Sequence, residues 1–200
     1  MYHEVSIGRK NVVNNFLRTG QSINTRFGVN GRTLLMGAVS GGYLHVVHAI
    51  LNAGGRANAR NNNGDTPLHY AVRNGSANSL GLLIHHGADV NAKNNMGRTP
   101  LMIACIQGSV PMVTHLLEFG ANPRMRDNNG DNAIGLTLRN RDPRGRIYII
   151  KKLVQAGAVR NVSNVINIRT NNANIRRLLG SGSITNFLAQ REIGKRPRRI

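Results

Sequence analysis

Seven histidines, one cysteine and eight carboxylates are the side chains that could carry acid–base, nucleophilic or metal chemistry here. His45 and His48 stand three apart, so they can share one helix face, and His85 and His86 are adjacent. Neither pair comes with a cysteine or a cluster of carboxylates at zinc-ligand spacing, so no metal site is expected. Cys105 ends the apolar run Leu101-Met-Ile-Ala-Cys105, which reads as a small core residue rather than a nucleophile. The acidic residues are scattered, and no glycine-rich loop ends in Lys-Ser or Lys-Thr. The expectation is a non-enzymatic chain that needs no cofactor.

What the chain does have in quantity is the guanidinium group. Lys and Arg number 27 against 8 Asp and Glu, for a net charge of +19, and Arg far outnumbers Lys. The charge is uneven: +3 over residues 1–30, +3 over 31–63, 0 over 64–96, +1 over 97–129 and +12 over 130–200. A basic terminal third recruits polyanions by releasing their counterions, and the planar arginine fork suits phosphate. The expected polyanion contacts are Arg141, Arg144 and Arg146 in a Pro/Gly-containing loop from Asn140 to Arg146. Lys151, Lys152, Arg176 and Arg177 would lie on terminal helices, and Lys195, Arg196, Arg198 and Arg199 in the tail. Tyr148 and Phe187 are the only aromatics there, too few for a base-stacking platform, so base-specific readout is not expected.

The elements that must position these groups are repeats. Gly31, Gly64, Gly97 and Gly130 stand 33 residues apart. Gly64-Asp-Thr-Pro-Leu-His69 recurs as Gly97-Arg-Thr-Pro-Leu-Met102, with looser versions at Gly31-Arg-Thr-Leu-Leu35 and Gly130-Asp-Asn-Ala-Ile134. Leu83-Ile-His-His-Gly-Ala-Asp-Val-Asn91 recurs as Leu116-Leu-Glu-Phe-Gly-Ala-Asn122. Such a period means stacked units that cannot bury their apolar faces alone. Thr66-Pro67 and Thr99-Pro100 predict helix starts, with Thr as cap and Pro in the first turn. First helices are expected from Leu68 to Arg73 and from Leu101 to Ile106, broken at Gly75 and Gly108. Second helices are expected from Ser76 to His85 and from Val110 to Glu118, followed by an outward hairpin-like loop.

In these motifs the chain resembles the ankyrin-repeat family, over roughly residues 12–180. The resemblance implies an all-α repeat solenoid of helix–turn–helix units plus hairpin-like loops, with about four repeats and degenerate caps. The expected divisions are 1–30 (N-terminal cap, with an outer helix around Val12-Val13 and Phe16-Leu17), 31–63, 64–96, 97–129, 130–160 (degenerate, with an insertion), 161–180 (C-terminal cap) and 181–200 (basic tail).

The resemblance also implies a protein partner held on the loop tips and the exposed side of each first helix. By motif position those residues are Arg32, Asn62, Asn63, Asp65, Arg73, Asn95, Met96, Arg98, Asn128, Asn129, Asp131 and Arg139. It makes His69 a structural histidine bonded to turn backbone. Asn61, Asn94 and Asn128 are read as serving turn geometry. One cysteine, no signal pattern and no long apolar run lead to an intracellular location, cytoplasmic or nuclear or inside a larger nucleoprotein particle, with no membrane partner. Two functions are expected to compete. One is a scaffold that also docks on a polyanion or nucleoprotein, as in a ribonucleoprotein or virion. The other is an effector that sequesters a signalling protein, with the tail as a nuclear-targeting signal.

Overall fold

The computed structural model describes residue 16, residues 18–139 and residues 143–158. The unit 64–96 shows how sequence becomes structure. Thr66 adopts an extended backbone and caps a helix whose first residue is Pro67, where the missing N–H costs nothing. Calling the helices α1 to α8 in chain order, this one is α3 (Pro67–Arg73). It stops at Asn74, and Gly75 turns the chain with φ +67°, a conformation that costs other residues about 1–2 kcal/mol. Ser76 then caps α4 (Ala77–His85) by accepting the Ser79 N–H. The next unit repeats the plan with α5 (Pro100–Gln107) and α6 (Val110–Glu118). Before them come α1 (Leu34–Ser40) and α2 (Leu44–Asn52), and after them α7 (Ala133–Leu138) and α8 (Pro143–Gln155).

The first helices α1, α3, α5 and α7 pack one against the next as an inner row, and each second helix backs its own partner. The fully buried Leu35, Leu68, Leu101 and Ile134, one from each inner helix, form the spine of the core. Outer helices turn only one stripe inward: Val46, Val47 and Ile50 from α2, Leu80 and Leu83 from α4, Met112, Val113 and Leu116 from α6. Between units the chain projects as a finger. The first finger closes as a short antiparallel ladder of β1 (Arg26–Phe27) and β2 (Arg32–Thr33), and an isolated bridge from Arg126 to Asn132 marks the fourth.

Two departures from expectation have physical reasons. The fourth unit lacks Pro, yet α7 is capped: Asn132 takes the place of Thr and its side chain accepts the Gly135 N–H at 2.9 Å. The expected loop from Asn140 to Arg146 is cut short, because Pro143 opens α8 and puts Arg144 and Arg146 in its first turns. Buried Ile149, Ile150, Leu153 and Val154 then seat that helix against α6 and α7. Of the expected N-terminal helix, Phe16 and Arg18 are described, both helical, and Phe16 is buried edge-on to Phe27 at 6.0 Å. The expected C-terminal cap and tail, 161–200, lie outside the described residues.

Candidate interaction surface

The second, third and fourth fingers are each shaped by one acceptor at the base. Asn61 Oδ1 accepts the N–H groups of Asn63 and Asp65, both at 2.9 Å. Asn94 does the same for Met96 and Arg98, and Asp127 for Asn129 and Asp131. The third shaping residue is therefore Asp127 and not the expected Asn128, because any short side chain with a carbonyl oxygen at that register can fold the turn.

Asn128 belongs to a different row. Asn62, Asn95 and Asn128 each donate Nδ2 to a carbonyl of the preceding fingertip: Val29, Asn62 and Asn95, all at 2.8 Å. Backbone bonds run beside them, from the Asn62, Asn95 and Asn128 N–H groups to the carbonyls of Asn30, Asn63 and Met96. Three of the expected partner-binding asparagines thus spend donors on stitching fingertips together. The seam explains three of the four periodic glycines, Gly31, Gly64 and Gly97. A Cβ on Gly64 or Gly97 would run into the side-chain oxygen of the next unit's asparagine and stand 2.7 Å from its backbone nitrogen.

A second seam lies at the opposite edge of the junctions. Asn24 and Asn58 donate to the carbonyls of Gly54 and Gly87, while Asn24, Asn58 and Asn91 accept the N–H groups of Arg56, Asp89 and Asn122 at 2.7 Å. Arg124 takes over the role in the next unit by donating Nε to Gly157 O.

Ion pairs line the mouth between fingers and inner helices. Arg73 grips Asp65 through two bonds of 2.7 and 3.1 Å, and Arg139 reaches Asp131 at 2.6 Å. Arg98 lies 3.5 Å from Asp127 of the following finger. Burial raises the Asp65 carboxyl, but bonds from Arg73 and Asn94 outweigh it and hold the group below its ordinary value. Arg32 has no ion pair among the described residues, and its guanidinium stands 5.1 Å over the Tyr70 ring. The face that counts as arginine-rich in sequence is therefore largely self-neutralised, with Arg32 left over. Around these groups, Val29 is 94% exposed, Met96 53%, and Ile106 projects from the end of α5. Asn63 and Asn129 sit exposed at their fingertips.

Of the expected polyanion contacts, Arg146, Lys151 and Lys152 lie half-buried on α8, with the Lys152 ammonium 5.6 Å over Tyr148. Nothing is described of the Arg144 side chain, and Arg141, Arg176, Arg177, Lys195, Arg196, Arg198 and Arg199 lie outside the described residues. His69 is wholly buried. Its Nδ1 accepts the Thr66 N–H at 3.1 Å, and Nε2 faces the Arg98 carbonyl of the next unit at 3.0 Å. Burial holds its pKa below the ordinary histidine value. Cys105 is buried and its thiol is pushed up to about 12, which leaves no thiolate to react at neutral pH.

On the outer side, Leu44, His45, His48, Asn78, Gly81, Leu82 and His85 line an open groove of about 640 Å³ between α2 and α4. Among the described residues no three His, Cys, Asp or Glu side chains are placed to hold a metal ion. No helix among them is long and apolar enough to cross a membrane.

A family model described as ankyrin repeats (3 copies) matches residues 2–94, and one described as ankyrin repeats (many copies) matches residues 83–135. A search of curated proteins returns no match to this chain. The stacked helix pairs, the fingers between them and the two family matches agree: this chain belongs to the ankyrin-repeat family, whose stacked units form a protein–protein interaction module.

Proposed function

We propose that the protein is a non-enzymatic scaffold that holds a protein partner on its fingertips and inner helices while its basic C-terminal third docks on a polyanion, as a structural subunit of a large nucleoprotein assembly. The observation that carries the protein-binding half is the exposure of Val29, Met96 and Ile106 on a surface whose polar groups are already tied down. Apolar side chains held out by a pre-ordered frame lose little entropy on binding. Arg32, which has no ion pair among the described residues, supplies charge that selects a partner with carboxylates nearby. The other half is supported by the charge of +12 on residues 130–200.

The test is to purify the tagged full chain from its native setting, with and without nuclease, as wild type, as M96D/I106D and as K195Q/R196Q/R198Q/R199Q. The expected result is that M96D/I106D loses the nuclease-resistant protein partner and the tail variant loses nuclease-sensitive material. A partner that persists in M96D/I106D refutes the surface, and a nuclease-insensitive set of partners refutes the polyanion half.

A further inference from the structure

Counted by residue, the unit 64–96 is neutral and the unit 97–129 carries only +1. Folding separates those charges in space. Asp65, Asp127 and Asp131 turn to the inner-helix side, each against an arginine. Asp89 sits at the far edge of its unit and accepts the Asn91 N–H at 2.8 Å, and Glu118 ends α6. On the outgoing arm of each finger the same register position carries Arg26, Arg60, Lys93 and Arg126, all exposed and none ion-paired among the described residues. The last three are spaced by 33, and the first step is 34, where the N-terminal return is one residue longer. The one carboxylate beside the row itself among the described residues, Asp127 next to Arg126, is buried and turned toward Arg98.

These four cations are braced. Arg26 and Arg60 donate Nε to the carbonyls of Gly31 and Gly64 at 3.1 and 3.4 Å, and Arg126 donates Nη1 to Gly130 O at 2.6 Å. Lys93 reaches the Arg126 carbonyl at 2.8 Å. A guanidinium has five N–H donors, so each arginine keeps several for a ligand while its long side chain is already ordered. Like charges in a row repel one another unless an anion lies along them.

We propose that this row is a track for the phosphate backbone of double-stranded nucleic acid. Units stacked at helix-packing distance put neighbouring cations about 8–10 Å apart. A duplex carries one negative charge per about 1.7 Å of its axis, counting both strands, so a row of this spacing lies against several phosphates on whichever strands face it. Arginine at three of the four positions offers the paired donors that phosphate accepts. Single strands are held by base stacking, and Phe27, the aromatic that follows Arg26 in the chain, is partly buried and packed edge-on to Phe16. The track shares its class of partner with the polyanion half of the proposed function but is a separate surface.

The test is fluorescence anisotropy of a short labelled DNA duplex with the full chain over a range of salt concentrations. It compares wild type, R26Q/R60Q/K93Q/R126Q and the tail variant K195Q/R196Q/R198Q/R199Q, with circular dichroism melts as the folding control. The finger variant is expected to flatten the slope of log affinity against log salt by about 3–4 and to weaken low-salt binding at least about tenfold. If it does not fold, R60Q and K93Q alone are each expected to flatten the slope by about one. A folded finger variant with the wild-type slope overturns the track, and if the tail variant then loses its slope the C-terminal dock survives without it. No duplex binding by wild type overturns both. Displacement by polyglutamate as effective, charge for charge, as unlabelled duplex also overturns the track, in favour of an acidic protein.

Discussion

Asn94 donates Nδ2 to Oδ1 of Asp65, one repeat before it, at 2.8 Å. One unit later the same register pairs Asp127 with Arg98, at 3.5 Å. The pairs are complementary in sense: an amide where an acid precedes, an acid where an arginine precedes.

Exchanging those partners should therefore be asymmetric. Asn94→Asp sets two buried carboxylates within hydrogen-bond distance and is expected to cost about 1–3 kcal/mol at pH 7, with much of the loss relieved as a carboxyl is protonated in acid. Asp127→Asn removes a counter-ion from a partly exposed arginine and is expected to cost about 1 kcal/mol or less. Urea midpoints of the two variants decide it; an Asn94→Asp protein as stable as wild type at pH 7 would sink the argument.

Gly97 and Gly130 have similar backbones, φ +72° and +79°, but different surroundings. A Cβ at Gly130 meets nothing within 4 Å among the described residues, so Gly130→Ala should cost about 1–2 kcal/mol for the left-handed conformation alone. At Gly97 the same methyl displaces Asn128 and its two bonds to the preceding finger. Gly97→Ala is expected to cost about 1–3 kcal/mol more than Gly130→Ala. Equal denaturation midpoints for the two would show that the fingertip seam contributes nothing to stability.

His69 gives the fold a pH dependence of known sign. Because Nδ1 accepts a backbone N–H, the ring is neutral with its proton on Nε2, and burial keeps its folded pKa below the ordinary 6.5. Its contribution is complete above that value. As pH falls below 6.5 the unfolded chain takes up a proton that the folded chain refuses, so stability declines. Methionine stands at the same register in the flanking units, as Met36 and Met102. His69→Met is expected to flatten the decline in melting temperature between pH 7 and pH 5. An unchanged profile would assign the decline to other groups. Asp65 adds a lower window: its depressed pKa stabilises above about 3.8, and that stability is lost as pH falls through the folded value.

Much of this fold can be read from punctuation. Thr-Pro pairs and glycines place α3 and α5 within one residue of their observed ends, and the expected Val110 to Glu118 matches α6. The expected start of α4, Ser76, is instead the cap of a helix that begins at Ala77. The partners of polar side chains are harder to read, because they lie one unit away. Asparagine at Asn61, Asn62, Asn94 and Asn95 reads as turn preference, and only the stacking of fingers shows which residue shapes its own turn and which bonds its neighbour. The spacing of eight shared by Asp65–Arg73 and Asp131–Arg139 is a signal for the mouth pairs that the sequence does offer. Charge per unit hides the segregation of acids from the finger row, since a sum has no direction.

The two seams also decide how the stack responds to load. A junction sewn only at its fingertips would swing open like a door; one sewn at both edges has no free side to swing from. For neighbouring repeats to separate, both rows of bonds and the apolar spine between them must give way together. Pulled from its ends, such a chain resists as a series of whole links and not as a gradually fraying thread.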